Sequence, residues 1–465
     1  MTDDVRKRSP KIEAIAECWP MIMALRGGTT AMRKAGKIYL PQWPNEDDGF
    51  YKSRLNTATL FPAFARTVEV LSGKPFSRPV TWAEDVPARI ADMFDDIDMQ
   101  GRNLHSFLAD VCEEAISNGI CGILVEHPPV DTGLTIAQEK AIGARPYFAT
   151  ILANSLLDYK STRVNGQETI TQLRFVEMVA EETDSEFAEK IVEQVRVIDI
   201  GRWRTYREKK NEITGVKEWL LHDEGTTTLQ KVAFVPVYGD RIGFMQSRPP
   251  LVELAHMNVE HWQSKSDQQT ILHVARVPIL FGKGMDQDQV ITVGAASAVI
   301  SEKDNADLKY VEHSGKAIES GRLDILDLED KMRQIGAELL VVKPGRTTVA
   351  QTLAENEAGT CALQRIVGDL TDAANQALQF MADWIHEEKG GHISIFRDFG
   401  AATLAEASAE LLLEMNIAGS LSNETLFSEI QRRGMISGDT KWEDEEEKIK
   451  SQPPRPGPTK TSLTA

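Results

Sequence analysis

In this 465-residue chain the side chains best suited to chemistry cluster in one short stretch, Lys343-Pro344-Gly345-Arg346-Thr347-Thr348. Two bases and two hydroxyls beside a glycine are groups that could hold a phosphate. A nucleotide-cradling loop needs Gly-x-x-x-x-Gly-Lys-Ser/Thr, because its glycines let successive N–H groups close on the anion. Here Lys343 precedes a lone Gly345, and that spacing is missing. A connection accounts for more of the residues. Pro344-Gly345 turns the chain, Thr348 stands three residues before Gln351 as a capping box, and a helix begins. Lys343 and Arg346 are then exposed at the tip.

The remaining reactive types are scattered. His256 and His261 are five apart, which suits neither HExxH nor one helix face, and His273, His386 and His392 stand alone. Each reads as a satisfied or exposed histidine rather than a ligand. Cys18, Cys112, Cys121 and Cys361 form no CxxC pair, which disfavours both a disulfide framework and a zinc site. No Gly-x-Ser-x-Gly elbow is present. Asp95-Asp96 and Glu113-Glu114 read as solvated helix surface. The expectation is no catalytic residue, no metal, no cofactor and no enzymatic activity.

The elements that would carry these residues alternate between two patterns. Residues 11–35 are helix-like, Tyr39–Pro44 is an extended loop, and Tyr51–Leu71 is helical with a break at Pro62. Leu104, Phe107, Leu108, Val111, Cys112 and Ile116 recur at helical spacing until Gly119, and Cys121–Val125 is a short strand. From Pro146 to Tyr238 the runs are short, β-branched and aromatic, with the hairpin signal Asn165-Gly166, and they predict one antiparallel sheet. Leu251, Leu254, Ala255, Asn258 and Trp262 mark the inner face of a helix reaching Ala275. Strand, turn and strand follow, then a helix through Leu328, Met332, Ile335 and Leu339. Leu363, Ile366, Val367, Leu370, Ala374, Leu378, Met381 and Ile385 hold one helical face. Taken from Val349 to Glu388, that helix would be about 60 Å long at 1.5 Å per residue. From Asp444 the chain is charged and then proline-rich, which predicts disorder.

Composition limits the partners. A net charge of −18 and a pI near 5.1 give no global attraction to nucleic acid, so a sequence-specific DNA reader is not expected. No run approaches the roughly 20 apolar residues of a membrane span, and no signal peptide is visible. The reading is a soluble protein kept in a reducing compartment.

Several stretches, in order, resemble the portal proteins of tailed bacteriophages. They are Tyr39-Leu40-Pro41 followed by Tyr51, Arg54, Leu55 and Ala58, then residues 67–79, 96–107 and 117–129, and the central segments 249–284 and 328–359. The closing ISGDTKWEDEEEKI is also similar. The resemblance implies an α+β, mostly helical fold around a central channel. It would comprise a wing over 1–248 with a β-rich part at 146–238, stem helices at 249–276 and 317–340, and a clip at 277–316. A tunnel loop at 341–352, a long helix at 353–388, a crown-like region at 389–442 and a disordered tail at 443–465 would complete it.

Lys343, Arg346, Thr347 and Thr348 would then face DNA in the tunnel loop. Lys283, Asp286, Asp288, Glu302 and Lys303 would lie on the clip, against the motor or adaptor. The implied partners are copies of the same chain in a dodecameric ring, double-stranded DNA passing non-specifically, and the terminase large subunit. A head-tail adaptor and the major capsid and scaffolding proteins are also implied, at a portal vertex of the virion, with no membrane. A simple estimate agrees on copy number. Helices about 10 Å across around a channel of about 35 Å put their axes on a circle of about 140 Å circumference. At spacings of about 8–10 Å plus tilt, that circle holds on the order of a dozen copies. The competing readings are an α/β enzyme of unknown chemistry and another head-tail structural adaptor.

Overall fold

The computed structural model describes residues 5–128, 142–183, 187–210, 217–275, 279–283, 307–311, 315–340, 361–397, 412–432, 436 and 440–451. In chain order its opening helices are α1 (Pro10–Ala16), α2 (Trp19–Arg26), α3 (Gly28–Ala35), α4 (Asp48–Thr57) and α5 (Ala63–Gly73). Strand β1 (Thr81–Trp82), helix α6 (Ala88–Ala91), helix α7 (Leu104–Asn118) and strand β2 (Ile120–Glu126) come next. The strand-rich part holds β3 (Tyr147–Ile151), β4 (Leu156–Val164), β5 (Gln167–Glu182), β6 (Glu189–Asp199), β7 (Arg202–Lys210), β8 (Lys217–Thr226) and β9 (Phe234–Tyr238). A small hairpin, β10 (Asp240–Gly243) and β11 (Gln246–Arg248), leads to helix α8 (Val252–Ala275). Strands β12 (Ile279–Lys283) and β13 (Asp307–Val311) precede helix α9 (Lys316–Ala337). Helix α10 (Ala362–Ile385), strand β14 (Ile393–Ser394), and helices α11 (Asn423–Arg432) and α12 (Trp442–Ser451) complete the series. This is an α+β chain. No helix among the described residues is long and apolar enough to cross a membrane.

The chain divides into two compact units, one of residues 1–72 and 110–339, the other of 73–109 and 340–465. Residues 73–109 thus belong to the same unit as the C-terminal residues.

Over residues 146–238, where one sheet was expected, the strands belong to two. β2 sits between β3 and β9, and β4 to β8 form a separate five-stranded antiparallel meander. The expected single sheet fails at β9, whose buried residues pair with β2 from Ile120↔Tyr238 to Leu124↔Phe234. A strand buried on both faces is drawn to the interior partner rather than to a half-exposed meander. The hairpin at Asn165-Gly166 is as read: both residues have positive φ, 51° and 85°, which a two-residue hairpin turn requires. Trp19, Leu124, Leu173, Phe175 and Phe234 share a single core cluster, so both sheets and the N-terminal helices bury one interior. Leu157, Val195, Val197 and Trp219 form a smaller cluster on the meander.

One acidic pair was misread. Glu114 is buried, not solvated; it pairs with Arg26 at 2.9 Å and accepts the Ala153 N–H at 3.3 Å. An ordered partner on each carboxylate oxygen offsets the loss of water.

In the second unit α10 buries the face predicted for it, Leu363, Ile366, Val367, Leu370, Ala374, Leu378 and Met381. Its extent is shorter than expected. Cys361 is extended and acts as N-cap, with its N–H donating to Gln364 Oε1 at 2.9 Å, and the helix ends at Ile385 before left-handed His386. Twenty-four residues make about 36 Å rather than 60 Å. The expected capping box at Thr348 and Gln351 lies outside the described residues. β1 and β14 pair nearby, where His392 Nδ1 meets Asp85 Oδ2 at 2.5 Å.

The disorder expected from residue 443 is corrected up to Ser451, because Trp442–Ser451 is α12. Acidic residues fill its first turn and lysines its last, complementing the helix dipole. Lys450 pairs with Glu446 at 2.8 Å at i,i+4 spacing, and Trp442 packs on Phe427 with ring centroids 5.4 Å apart.

Candidate functional site

α8 and α9 form an antiparallel helical hairpin, and they are the longest helices of the first unit. At 1.5 Å per residue they are about 36 Å and 33 Å long. Contacts fix the direction: His261 meets Glu329, while Gln268, further along α8, donates to the Ile318 carbonyl at 2.8 Å, nearer the start of α9. Gln268 packs its amide over Gly321, where a Cβ would stand 2.4 Å from Gln268 Oε1 and the side chain would have to shift. The far end of the hairpin carries the β12–β13 ribbon, in register from Ile279↔Val311 to Lys283↔Asp307.

The predicted inner face of α8 is buried as read, at Leu251, Leu254, Ala255, Asn258 and Trp262. Its middle is polar. Asn258 accepts the Phe64 N–H at 2.9 Å and donates to the Phe61 carbonyl at 2.8 Å, anchoring the entry to α5. One turn on, His261 is fully buried beside the Phe61 ring, with Nε2 3.1 Å from Glu329 Oε1 and no hydrogen-bond partner at Nδ1. Burial pushes its pKa down, and Glu329 opposes that only in part.

The root of the hairpin is held by the residues that carry the sequence resemblance. Arg54 is 3% exposed; its Nε and Nη2 reach the two oxygens of Glu46, each at 2.8 Å, and Nη2 also donates to the Pro41 carbonyl at 2.8 Å. Its guanidinium lies 4.2 Å from the Trp43 ring centroid. Asp267 of α8 stands 3.7 Å from Arg54 Nη1, and Gln263 donates to the Tyr39 carbonyl at 3.0 Å. Leu40, Tyr51 and Ala58 are buried around this arginine. The signature residues therefore clamp the Tyr39–Pro44 loop and α4 onto α8. Their role here is structural.

Over α8 and α9 together, eight carboxylates stand against five Lys and Arg, a net charge of −3. On α9 the exposed carboxylates Asp324 and Asp327 make no ion pair among the described residues, while Glu319 is held by Arg322 at 2.6 Å. Leu323 and Leu326 are also exposed, at 49% and 41%.

Of the residues singled out from sequence, Lys283 is exposed at the outer end of β12, opposite Asp307 in the register. Asp286, Asp288, Glu302 and Lys303 lie outside the described residues, as do Lys343, Arg346, Thr347 and Thr348. No two of these nine are brought together in the described structure. Two polar clusters were missed. His261 and Glu329 had a signal, since position 261 falls on the α8 inner-face spacing after 254 and 258. The second is Glu126 on β2, contacted by Arg196 Nη2 at 2.5 Å and by the Tyr147 hydroxyl at 3.2 Å. Burial pushes the Glu126 carboxyl up and the Tyr147 phenol up to about 12. Those residues are distant in sequence and showed no pattern.

Cys112, Cys121 and Cys361 are core residues, and Cys18 is half-buried. Burial raises the Cys112 thiol to about 12, which removes the thiolate needed for reactivity. Among the described residues no group of three His, Cys, Asp or Glu is placed to hold a metal ion.

The family model described as "Domain of unknown function (DUF4055)" matches residues 250–385, from α8 to the end of α10 and under a third of the chain. No curated protein matches the chain in sequence. Among solved structures it is similar to a chain in the neck of an empty gene transfer agent (GTA) particle computed with C6 symmetry. The two are 13% identical with a TM-score of 0.40, over 80% of this chain and 90% of that one. A chain of the native GTA virion is 13% identical with a TM-score of 0.40, over 84% and 96%. A chain of the native GTA neck computed with C12 symmetry is 12% identical with a TM-score of 0.40, over 80% and 89%. Likeness at that level carries no argument by itself.

Proposed function

We propose that this chain is the subunit of a portal-type ring at one vertex of a phage-like capsid, the channel through which a motor packages DNA and to which the neck or tail attaches. The observation that carries this reading is the α8–α9 antiparallel hairpin with a β-ribbon at its far end, rooted by the Arg54 clamp. A hairpin of this kind is a spoke. Repeated around an axis through heterologous contacts, it closes a ring whose wall is helical. The exposed Leu323 and Leu326 give α9 apolar surface for a neighbouring copy to cover. The net negative charge of the two helices suits a wall along which DNA slides, because acidic side chains repel phosphate at short range.

In this reading the ribbon, with Lys283 and the nearby Asp286, Asp288, Glu302 and Lys303, meets the terminase large subunit or the head-tail adaptor. Lys343 and Arg346, beside Thr347 and Thr348, touch passing phosphates without reading sequence, since phosphates carry no base information. Capsid and scaffolding proteins would meet the outer surface of the ring in the virion.

Electron microscopy of the purified chain with mass photometry tests the reading. Closed rings with a central hole, on the order of a dozen copies, are expected from the helix spacing. Only monomers and dimers at micromolar concentration would overturn it. The double variant Lys343→Ala/Arg346→Ala is expected to assemble normally and to lower packaged-DNA yield. Normal yield removes the role given to those two bases.

A further inference from the structure

The first unit exposes apolar side chains on two opposite flanks of α8. One group lies beside the Arg54 clamp, where Ile38, Trp43 and Phe50 are exposed, Ile38 at 74%. The Trp43 and Phe50 ring centroids are 6.3 Å apart, and the Arg54 guanidinium beneath lies against both Trp43 and Tyr51. Lys37, next to Ile38, holds its Nζ 5.4 Å from the Tyr51 ring centroid and makes no ion pair among the described residues. The carboxylates of this flank are already held. Glu46 is bound by Arg54, Asp47 by the Gly49 and Phe50 N–H groups, and Asp48 by Gln42. The exposed base Lys37 is therefore the uncommitted charge of the patch.

The other group is the outer face of α9. Gly321, Leu328, Glu329 and Met332 are buried or face α8. At about 100° per residue, Leu323, Leu326, Asp327 and Asp330 centre about 170° from them. Asp330 is taken by Arg333, which leaves the exposed Asp327 as the unpaired acid of this stripe.

Contacts on α8 fix how the two faces are related. Gln263 and Asp267 meet the clamp, while His261 and Gln268 meet α9. The two pairs centre about 130° apart around the helix and lie at the same level along it. Clamp, α8 and α9 are thus stacked in that order. One end of the stack shows aromatic and aliphatic surface with a base, and the other shows leucines with an acid. Exposed aromatic rings of this kind are the usual centre of a contact between proteins. Charge selects which surface covers which. Patch on patch would set Lys37 against Lys37, and α9 on α9 would set Asp327 against Asp327, and like charges across a contact repel. Patch on α9 matches both charge and apolarity, and a contact between unlike faces on opposite flanks repeats head to tail.

We propose that Leu323, Leu326 and Asp327 of one copy dock on Ile38, Trp43 and Phe50 of the next, with Asp327 beside Lys37. The inference rests on the ring reading and adds which surfaces meet in it.

Mass photometry of variants that each spoil one face tests the contact. Trp43→Asp and Leu326→Asp should each stay monomeric at concentrations where the parent closes rings. Mixed in equal amounts, they should form a one-to-one dimer and nothing larger, because only one intact patch and one intact α9 face can meet. Lys37→Asp should raise the concentration for half-assembly by about tenfold, and adding Asp327→Lys to it should bring that concentration back. Oxidation of the Phe50→Cys/Leu323→Cys variant should give a ladder of covalent oligomers beyond the dimer, a readout that needs no loss of assembly. If the parent closes rings and the single-face variants do so equally, with no ladder, this contact is wrong and the ring reading stands. A parent that stays monomeric overturns the ring reading and this inference with it. Cysteines that join within one chain overturn the contact, since the two faces would then meet in a single copy. Failure of Asp327→Lys to rescue Lys37→Asp overturns the charge pairing.

Discussion

Arg54 and Arg196 lie in the same compact unit, each beside an aromatic ring and two carboxylates, and their nearest carboxylates are shifted in opposite directions although burial raises both. Glu46 takes two hydrogen bonds from Arg54 and a third from the Trp43 N–H at 2.9 Å, and the Arg54 bonds hold its carboxyl below the usual range. Glu126 is more heavily desolvated, and it receives one short contact from Arg196 and a longer one from Tyr147, with Glu177 adding repulsion. Desolvation then prevails and its carboxyl is pushed up. At Glu46 the donors outweigh desolvation, and at Glu126 a larger desolvation outweighs fewer donors. Enclosure alone does not set the sign.

The largest effect should come from breaking the better-supplied site. Arg54→Ala leaves Glu46 buried without its two charged donors and frees the Pro41 carbonyl. Removing one partner of a buried ion pair costs about 3–5 kcal/mol. Chemical denaturation should show a loss of that order, while Arg196→Ala, whose carboxylate is already disfavoured in its ionised form, should lose less. Equal losses would break the comparison. The sign with pH follows. Glu46 has a folded value below its unfolded one, so its contribution is complete above the ordinary carboxylate range and disappears as pH falls through the depressed value. Glu126 works the other way: ionisation costs stability above its raised value, and protonation relieves that cost as pH falls through it. Glu126→Gln should therefore stay within about 1 kcal/mol of the parent at neutral pH, as breaking-even buried pairs do.

His261 extends the rule to a base. It has one carboxylate partner and an orphan Nδ1, so desolvation should dominate, and its pKa is indeed lowered. The facing charges are Glu329, which favours protonation, Lys265, which opposes it, and Arg333, which competes for Glu329 at 3.4 Å. With the folded value below the unfolded one, the unfolded chain binds the proton first. Stability should fall as pH drops below about 6.5 and level off below the folded value. The slope should vanish in His261→Gln. A slope of opposite sign would mean that Glu329 prevails over burial.

How much of this was legible in sequence depends on the range of the interaction. The apolar faces of α8 and α10 were readable because burial repeats every three or four residues, and Asn165-Gly166 was readable because a tight turn dictates its own residues. Two of the differences concern distant partners. β9 could not be assigned to β2 because a five-residue apolar run carries no record of its neighbour. Glu114 was taken for surface because Arg26 and the Ala153 N–H that hold it lie far off in the chain. The α12 segment reads as tail by composition, whereas its i,i+3 and i,i+4 charge pairs are what support a helix. Arg54 stood out as part of a recurring signature, although nothing in the sequence said that the signature is a clamp.

The smallest expected effect tests the clamp from its other side. Asp267 faces the same Arg54 as Glu46 but at 3.7 Å, beyond hydrogen-bond range, and its Oδ1 is buried with no hydrogen-bond partner. Desolvation pushes its carboxyl up while Arg54 only partly opposes that. If the balance of donors against desolvation decides the sign, this charge contributes nothing favourable at neutral pH, even beside an arginine. Its side chain is 45% exposed, which screens whatever attraction remains. Asp267→Asn should therefore shift stability by no more than about 0.5 kcal/mol, in the stabilising direction. It should also leave the Arg54–Glu46 pair and its acid sensitivity unchanged. A loss above about 1 kcal/mol would show that Arg54 needs both carboxylates. The clamp would then be a three-body ion network rather than a pair with a bystander.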